Sequence, residues 1–353
     1  MARIDLPARP RILVIALRRL GDVLLTTPLI ASLRRAWPDA VIDALVFADT
    51  AGILKGNPDI NNVVSFPAKR TMAQSLKLAA SLYRRYDLAI STQSGDRPTF
   101  FAFVAGKRRV ALVEQTLKSQ TIERLLDRSL VYVPGVHRVE EMLRLADVLG
   151  IGRVPQLVAP RARSSDLVPQ GDYAVIHAAP MFRYKQWTAQ GWRDLAAVLA
   201  SRGMAVVATG GPGAEERAYL DQVWSGANVT RLDGKLDWAQ LSGLLANAKV
   251  FVGPDTSVTH LAAAAGAPTV ALFGPTDPRL WGPFPSGGLT PMWSDTGAIQ
   301  QRGHVALVQN TLPCTPCQLE GCERRLDSHS ACLDELTSGQ VIEAVDQALR
   351  WKR

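Results

Sequence analysis

Apolar residues in this chain come in two alternating spacings. Short unbroken apolar runs bounded by turn residues read as buried strands, and stretches with apolar positions three and four apart read as helices. Arg11 to Leu17, RILVIAL, is the first such run. A loop, Arg18 to Asp22, follows, and the spacing of Leu24, Leu25, Leu29, Ile30 and Leu33 predicts one helix from Val23 to Trp37. Pro38-Asp39 stops it, and 40–47 is a second strand. Strand, helix, strand in so short a length predicts a right-handed parallel unit. Further strands are expected at 62–66, 86–92 and 109–113, with helices at 73–83 and 137–149.

The stretch 150–170 is richer in Pro, Gly and Ser and reads as a linker. A second alternating set follows it. Strands are expected at 173–177, 205–209, 229–232, 250–252 and 269–273, and helices at 188–202, 214–224, 238–247 and 258–265. Residues 282–303 read as loop, and a last helix is expected at 338–352. Two similar α/β halves, each a Rossmann-like parallel sheet, imply a ligand cleft between them. The expected division is 1–165, 166–337 and a terminal helix, 338–353, packing back on the first half. The stretch 250–275 is the most informative. Gly253-Pro254 breaks a strand, Asp255, Thr256 or Ser257 caps a helix, and Gly266 and Pro268 end it. A capped helix start just past a strand end is a ready anion site, because free N–H groups and the helix dipole favour phosphate.

Composition narrows the class. The chain has 353 residues, 47% hydrophobic and 20% charged, which suits two medium globular domains. No apolar run approaches the length of a membrane span. The N-terminus has a strand-length apolar run flanked by arginines and does not read as a signal peptide, so a cytoplasmic protein is expected. Residues 1–165 hold 25 Lys and Arg against 14 Asp and Glu, whereas 166–353 hold 15 against 18. All the positive surplus is in the first half, which suits an acidic partner such as a phosphorylated glycan or an anionic membrane surface. No nucleic-acid motif is present and aromatics are few, so nucleic acid is not expected.

Several residues have the chemistry of a site. Asp22 lies past the first strand and is either a base for a sugar hydroxyl or the N-cap of the helix after it. Gly21 beside it allows close approach of a substrate. Arg183 and Lys185 sit in the loop after 173–177 and can neutralise a diphosphate, or are two solvated charges. Gly210, Gly211 and Gly213 form a glycine-rich turn before a helix that opens with Glu215 and Glu216, which either hold ribose hydroxyls or complement the helix dipole. His260 lies one turn into the 258–265 helix, as ligand or as structural histidine. Asp277 reads as a turn residue. Cys314, Cys317, Cys322 and Cys332 have the ligand count of a structural zinc site, and free thiols are the other reading.

Taken together, these motifs resemble glycosyltransferase family nine, the ADP-heptose:lipopolysaccharide heptosyltransferases. The resemblance runs over nearly the whole chain. Its specific parts are RILVIALRRLGDVLLTTPLIASLRRAWPDA, NPDIN at 57–61, KQW at 185–187 and GPDTSVTHLAAAAGAPTVALFGPTDP at 253–278. The early segment and the spacing from His177 to Trp187 are most similar to the branch enzyme, the third heptosyltransferase. The resemblance implies a GT-B fold, with an acceptor domain first and a nucleotide-sugar donor domain second. It implies inverting transfer from ADP-L-glycero-D-manno-heptose to the lipopolysaccharide inner core, with no metal and no cofactor beyond the donor. By motif position Asp22 is the expected general base, and Gly21, Arg18 and Arg19 lie on the acceptor side. Lys185 is the expected diphosphate contact, Asp255, Thr256, Ser257 and His260 the phosphate loop, and Leu236 the residue packing on adenine. Peripheral contact with the inner face of the inner membrane is expected.

Two features depart from the family's first two enzymes. Ala178, Ala179 and Pro180 stand where those carry hydroxyl residues, and the cysteine cluster is additional. The alternatives left open are a same-fold transferase with another nucleotide sugar and a non-catalytic sugar- or nucleotide-binding protein.

Overall fold

The computed structural model describes residues 2–69, 71–116 and 121–351. Lys352, the expected end of the last helix, lies outside them. The chain divides into two compact units, Met1–Pro160 and Arg161–Arg353. The expected linker straddles that division. Val154 and Val158 donate their N–H groups to Ser32 Oγ and Thr27 Oγ1 in the first unit, and the Arg163 N–H reaches Ala239 O in the second.

In the first unit the strands are β1 (Arg11–Ala16), β2 (Val41–Phe47), β3 (Asn62–Phe66), β4 (Tyr86–Ser91), β5 (Gly106–Val113) and β6 (Arg128–Val131). They form one parallel sheet in the order β3-β2-β1-β4-β5-β6. Because strand side chains alternate, β1 feeds two cores. Ile12 and Val14 pack on one face with Leu29, Ile30 and Leu33 of α2 (Thr27–Ala36) and with Met142, Leu145 and Leu149 of a later helix. Leu13 and Ile15 pack on the other face with Leu82 of α3 (Met72–Leu82) and Phe101 of α4 (Asp96–Ala105). Each such side chain, fully buried, contributes roughly 1.5–3 kcal/mol.

The expected single helix from Val23 to Trp37 is two helices. The first, Leu20–Leu24, is a short helix that breaks at Leu25 and Thr26, and α2 restarts with Pro28 in its first turn. Proline there has no N–H to lose and its fixed φ suits a first turn, so the chain restarts where the sequence pattern runs on. Two more elements were not expected: α4, whose Pro98 and all-round apolar character hide its periodicity, and the edge strand β6. The sheet's last helix, Arg138–Leu149, is capped by the His137 ring and ended by left-handed Gly150.

In the second unit the strands are β7 (Tyr173–His177), β8 (Ala205–Thr209), β9 (Thr230–Arg231), β10 (Val250–Pro254), β11 (Thr269–Phe273), β12 (Ile299–Arg302) and β13 (Val305–Gln309). Their order is β12-β13-β11-β10-β7-β8-β9, with β12 antiparallel to β13 and the other pairs parallel. The supposed loop 282–303 therefore ends in a strand. IQQR was illegible because an edge strand needs no apolar run. The terminal helix, Ser338–Ala348, buries Val341, Ala344 and Val345 in the second unit's own core, with Trp192 and Leu195 of Ala189–Ser201. That corrects the expectation that it packs back on the first half.

Candidate functional site

In each sheet the strand order reverses direction once. In the first unit it does so between β1 and β4, and in the second between β7 and β10. Open α/β sheets bind ligands at such switch points, beyond the carboxyl ends of the strands. Asp22, after β1, falls at the first, and Lys185, after β7, with Asp255 to His260, after β10, at the second.

In the first unit, Asp22 lies in the first turn of Leu20–Leu24, with Arg19 at the N-cap. It is not the N-cap that the sequence allowed. Its carboxylate faces two guanidinium groups, Arg18 Nη1 at 3.4 Å and Arg138 Nε at 3.7 Å, from its Oδ1. Gly21 is helical, and its carbonyl accepts from the Leu25 N–H at 2.9 Å. Arg138 is the residue that the sequence reading missed. Its side chain is 5% exposed, pairs with Glu141 and donates from Nη2 to Thr92 O at 2.8 Å, just past β4. Burial pulls its pKa below the usual arginine value, against the opposing pull of Glu141 and Asp22. Gln93 holds the β1 end in place by donating to Leu17 O at 3.0 Å.

In the second unit, Lys185 ends a 3-10 turn, Arg183–Lys185, and donates from Nζ to Asp255 Oδ2 at 2.5 Å. The KQW motif explains how the turn is held. Trp187 is buried, stacks edge-on against Trp192 at 4.9 Å, and donates from Nε1 to Leu336 O at 2.7 Å. Gly191 is required beneath it, since a Cβ there would lie 2.4 Å from the Trp187 ring. Asp255 is 9% exposed. Burial alone would raise its pKa, but the charges of Lys185 and His260, with hydrogen bonds from Lys185 and Thr276, hold it below the usual carboxylate value. Arg183 is turned elsewhere and donates to Asp327 O at 3.3 Å.

Thr256, not Asp255 or Ser257, caps the helix Ser257–Ala264, accepting from the Thr259 N–H. Ser257 opens that helix and buried His260 lies in its first turn. A cation and a helix start thus stand together past β10. Burial pushes the pKa of His177, which ends β7, down to about 4, against the opposing bonds with Ala179 and Thr209, so it is neutral near pH 7. Ala178 and Ala179 after it are buried, so this turn presents backbone rather than hydroxyl groups.

Beyond β8, Glu216 turns back to accept from the Gly211 N–H at 2.6 Å, fixing the glycine turn, while Glu215 is exposed. Gly234 N–H donates to Gly210 O at 2.8 Å, and half-buried Leu236 follows two residues on, before the Asp237 cap. Asp277 caps the turn of helix Pro278–Trp281 and pairs with Arg279. The four cysteines are free thiols, with Cys332 buried and Cys314 and Cys322 exposed. Burial pushes the Cys332 thiol up to about 12. Among the described residues, no three His, Cys, Asp or Glu side chains are grouped to hold a metal ion.

Two parallel-sheet α/β units of this kind make up a GT-B fold. Residues 75–311 match the model of glycosyltransferase family 9 (heptosyltransferase), and the chain belongs to that family. It is 30% identical to lipopolysaccharide heptosyltransferase 3 of Escherichia coli K12, over 75% of this chain and 82% of that one. It is 28% identical to lipopolysaccharide heptosyltransferase 1 of Pseudomonas aeruginosa, over 88% and 87%. Among solved structures, E. coli ADP-heptose LPS heptosyltransferase II superimposes with a TM-score of 0.72, at 22% identity, over 96% of this chain and 98% of that one.

Proposed function

We propose that this chain is an inverting heptosyltransferase that moves heptose from ADP-L-glycero-D-manno-heptose to the lipopolysaccharide inner core. The observation that carries the reading is the Lys185–Asp255 pair beside the Thr256-capped helix start, at the switch point of the second sheet, in a family 9 chain. Asp22 takes the proton from the acceptor hydroxyl as its oxygen attacks the anomeric carbon. The bond from that carbon to the diphosphate oxygen breaks in the same step, and ADP leaves with the electron pair. A single displacement of this kind inverts the anomeric centre. Lys185 and the N–H groups of Thr256 and Ser257 at the helix start receive the charge that develops on the diphosphate. Asp255 orients Lys185, and His260 supports Asp255 electrostatically. Glu215, Glu216 and Leu236 line the adenosine end of the donor, and Arg18, Arg19 and Gly21 the acceptor side.

The first unit also suits a peripheral, cytoplasmic-face contact with an anionic membrane. Residues 62–86 contain five Lys and Arg and no acidic residue, and Met72 and Leu76 of α3 are exposed on one side of that helix. No nucleic-acid partner is proposed.

The test is Asp22→Asn. Asparagine keeps the size and shape but accepts no proton at neutral pH. Transfer should fall by about 10²–10⁴, the usual contribution of a general base, with melting temperature and donor affinity little changed. A folded, donor-binding variant that transfers at a rate near the wild type would refute the role of Asp22.

A further inference from the structure

Arg138 and Glu141 stand in an arrangement that a mere salt bridge does not require. Both are nearly buried, and they pair with one another one helical turn apart. Yet Arg138 Nε, facing Asp22 Oδ1 at 3.7 Å, is buried with no hydrogen-bond partner, and so is Glu141 Oε1. An arginine that serves one carboxylate closes a bidentate fork on it. Here the fork is divided. Nη1 goes to Glu141, Nη2 to the Thr92 carbonyl, and Nε is left facing Asp22 without bonding it.

Physically, the division matters. A carboxylate clamped by an arginine is pinned and a poor proton acceptor, because the cation favours its charged form. A carboxylate with no cation nearby has nothing to hold its direction before the acceptor arrives. Glu141 offsets part of the Arg138 charge, and the gap at Nε leaves lone pairs on Asp22 free. Among the described residues of the first unit, the charged groups that pair with Asp22 are Arg18 on its own segment and Arg138, with Glu141 behind it, on the helix Arg138–Leu149. The 3-10 turn Ala51–Leu54, which packs on Leu20–Leu24, carries no titratable side chain, and neither do Thr92 and Gln93 at the end of β4.

Resting on the reading of Asp22 as the base, we propose that Arg138 and Glu141 are a positioning pair that sets the direction and basicity of Asp22. Arg138 fixes where the carboxylate points, and Glu141 offsets part of the Arg138 charge that Asp22 faces. The pair is expected to act in opposite senses. Without Arg138, Asp22 protonates more readily. Without the Glu141 charge, Arg138 acts on Asp22 undivided, and Asp22 protonates less readily.

The experiment is the pH profile of kcat/KM for Arg138→Met, Arg138→Lys, Glu141→Gln and Asp22→Asn, each checked for a wild-type melting profile. Removing a cation within 4–6 Å typically shifts a carboxylate by one unit or more. The acid limb of Arg138→Met should therefore move up by about one pH unit. The limb of Glu141→Gln should move down by a smaller amount, with lower turnover at neutral pH. Arg138→Lys should restore the limb most of the way, and should carry the test with Glu141→Gln if Arg138→Met fails to fold. Limbs that coincide with the wild type, or that move in the same direction in both charge-removing variants, would overturn the proposal. If Asp22→Asn keeps its turnover, the base reading itself is what fails. If Asp22→Asn is inactive while the other limbs stay put, only the positioning role is lost.

Discussion

Lys185→Ala is the perturbation that the second unit resolves most sharply. It removes the ammonium group bonded at 2.5 Å to Asp255 and leaves that carboxylate buried. A hydrogen bond to a charged group is worth about 1.5–3 kcal/mol, and breaking a buried pair from one side costs about 3–5 kcal/mol. Lys185 is itself 20% exposed, so water covers part of the loss and the lower range, about 1.5–3 kcal/mol, applies. For a unit of this size that corresponds to a fall in Tm of roughly 3–12 °C at pH 7.5. The pH dependence is diagnostic. With Lys185 present, the folded-state pKa of Asp255 is depressed, so its stabilising contribution holds above the unfolded value of 3.8 and is lost as pH falls through the folded value. Without Lys185, burial is opposed mainly by His260 and Thr276, and the carboxyl takes up a proton at higher pH. The Tm deficit of the variant should thus be large at pH 7.5 and shrink toward pH 5. Differential scanning fluorimetry of both proteins across that range measures it. A deficit independent of pH, or none at all, would refute the coupling of Lys185 to a buried carboxylate. ADP affinity should fall about tenfold or more in the same variant, from the loss of a cation at the diphosphate.

Other outcomes follow from the same geometry. Neutral His177 lets the unfolded chain bind a proton first as pH falls from about 6.5 to about 4, so it subtracts stability across that window, and His177→Gln should flatten that part of the Tm profile. An unchanged profile would mean that another group sets the slope. ADP should raise the Tm more than UDP or GDP at equal concentration, and a larger shift with uridine or guanosine diphosphate would overturn the adenine assignment. Thr256→Ala should lower stability by about 1 kcal/mol through the lost cap and weaken ADP binding, and calorimetry that finds ADP affinity intact would remove that helix start from the donor site.

The central strands other than Val305–Gln309 were legible because parallel strands covered on both faces read as unbroken apolar runs. Ile12 to Ile15 and Val250 to Val252 are such runs, and both form as expected. Two edge strands have no such signature. Arg128–Val131 and Ile299–Arg302 bury little, so their sequences carry little pattern. The candidate site divides in the same way. Lys185, Thr256 and Asp22 announce themselves by lying in loops past strands. Arg138 does not, because RVEEMLR reads as the charged face of an ordinary helix. Only the sheet order, which places β4 beside β1, carries that arginine from position 138 to within reach of Thr92 and Asp22. Asp22 shows the complementary failure: its chemistry was visible, but the helix start at Leu20, upstream of the expected Val23, that moves it from a cap into a helical turn was not.

The most direct measurement of the central claim is transfer by the purified chain from ADP-L-glycero-D-manno-heptose to lipopolysaccharide truncated in its inner core, followed by mass spectrometry and by NMR of the new linkage. The expected result is addition of a single heptose with an anomeric configuration opposite to that of the donor, by the wild type and not by Asp22→Asn. A product from another nucleotide sugar with none from ADP-heptose, or a linkage that retains the donor configuration, would contradict it.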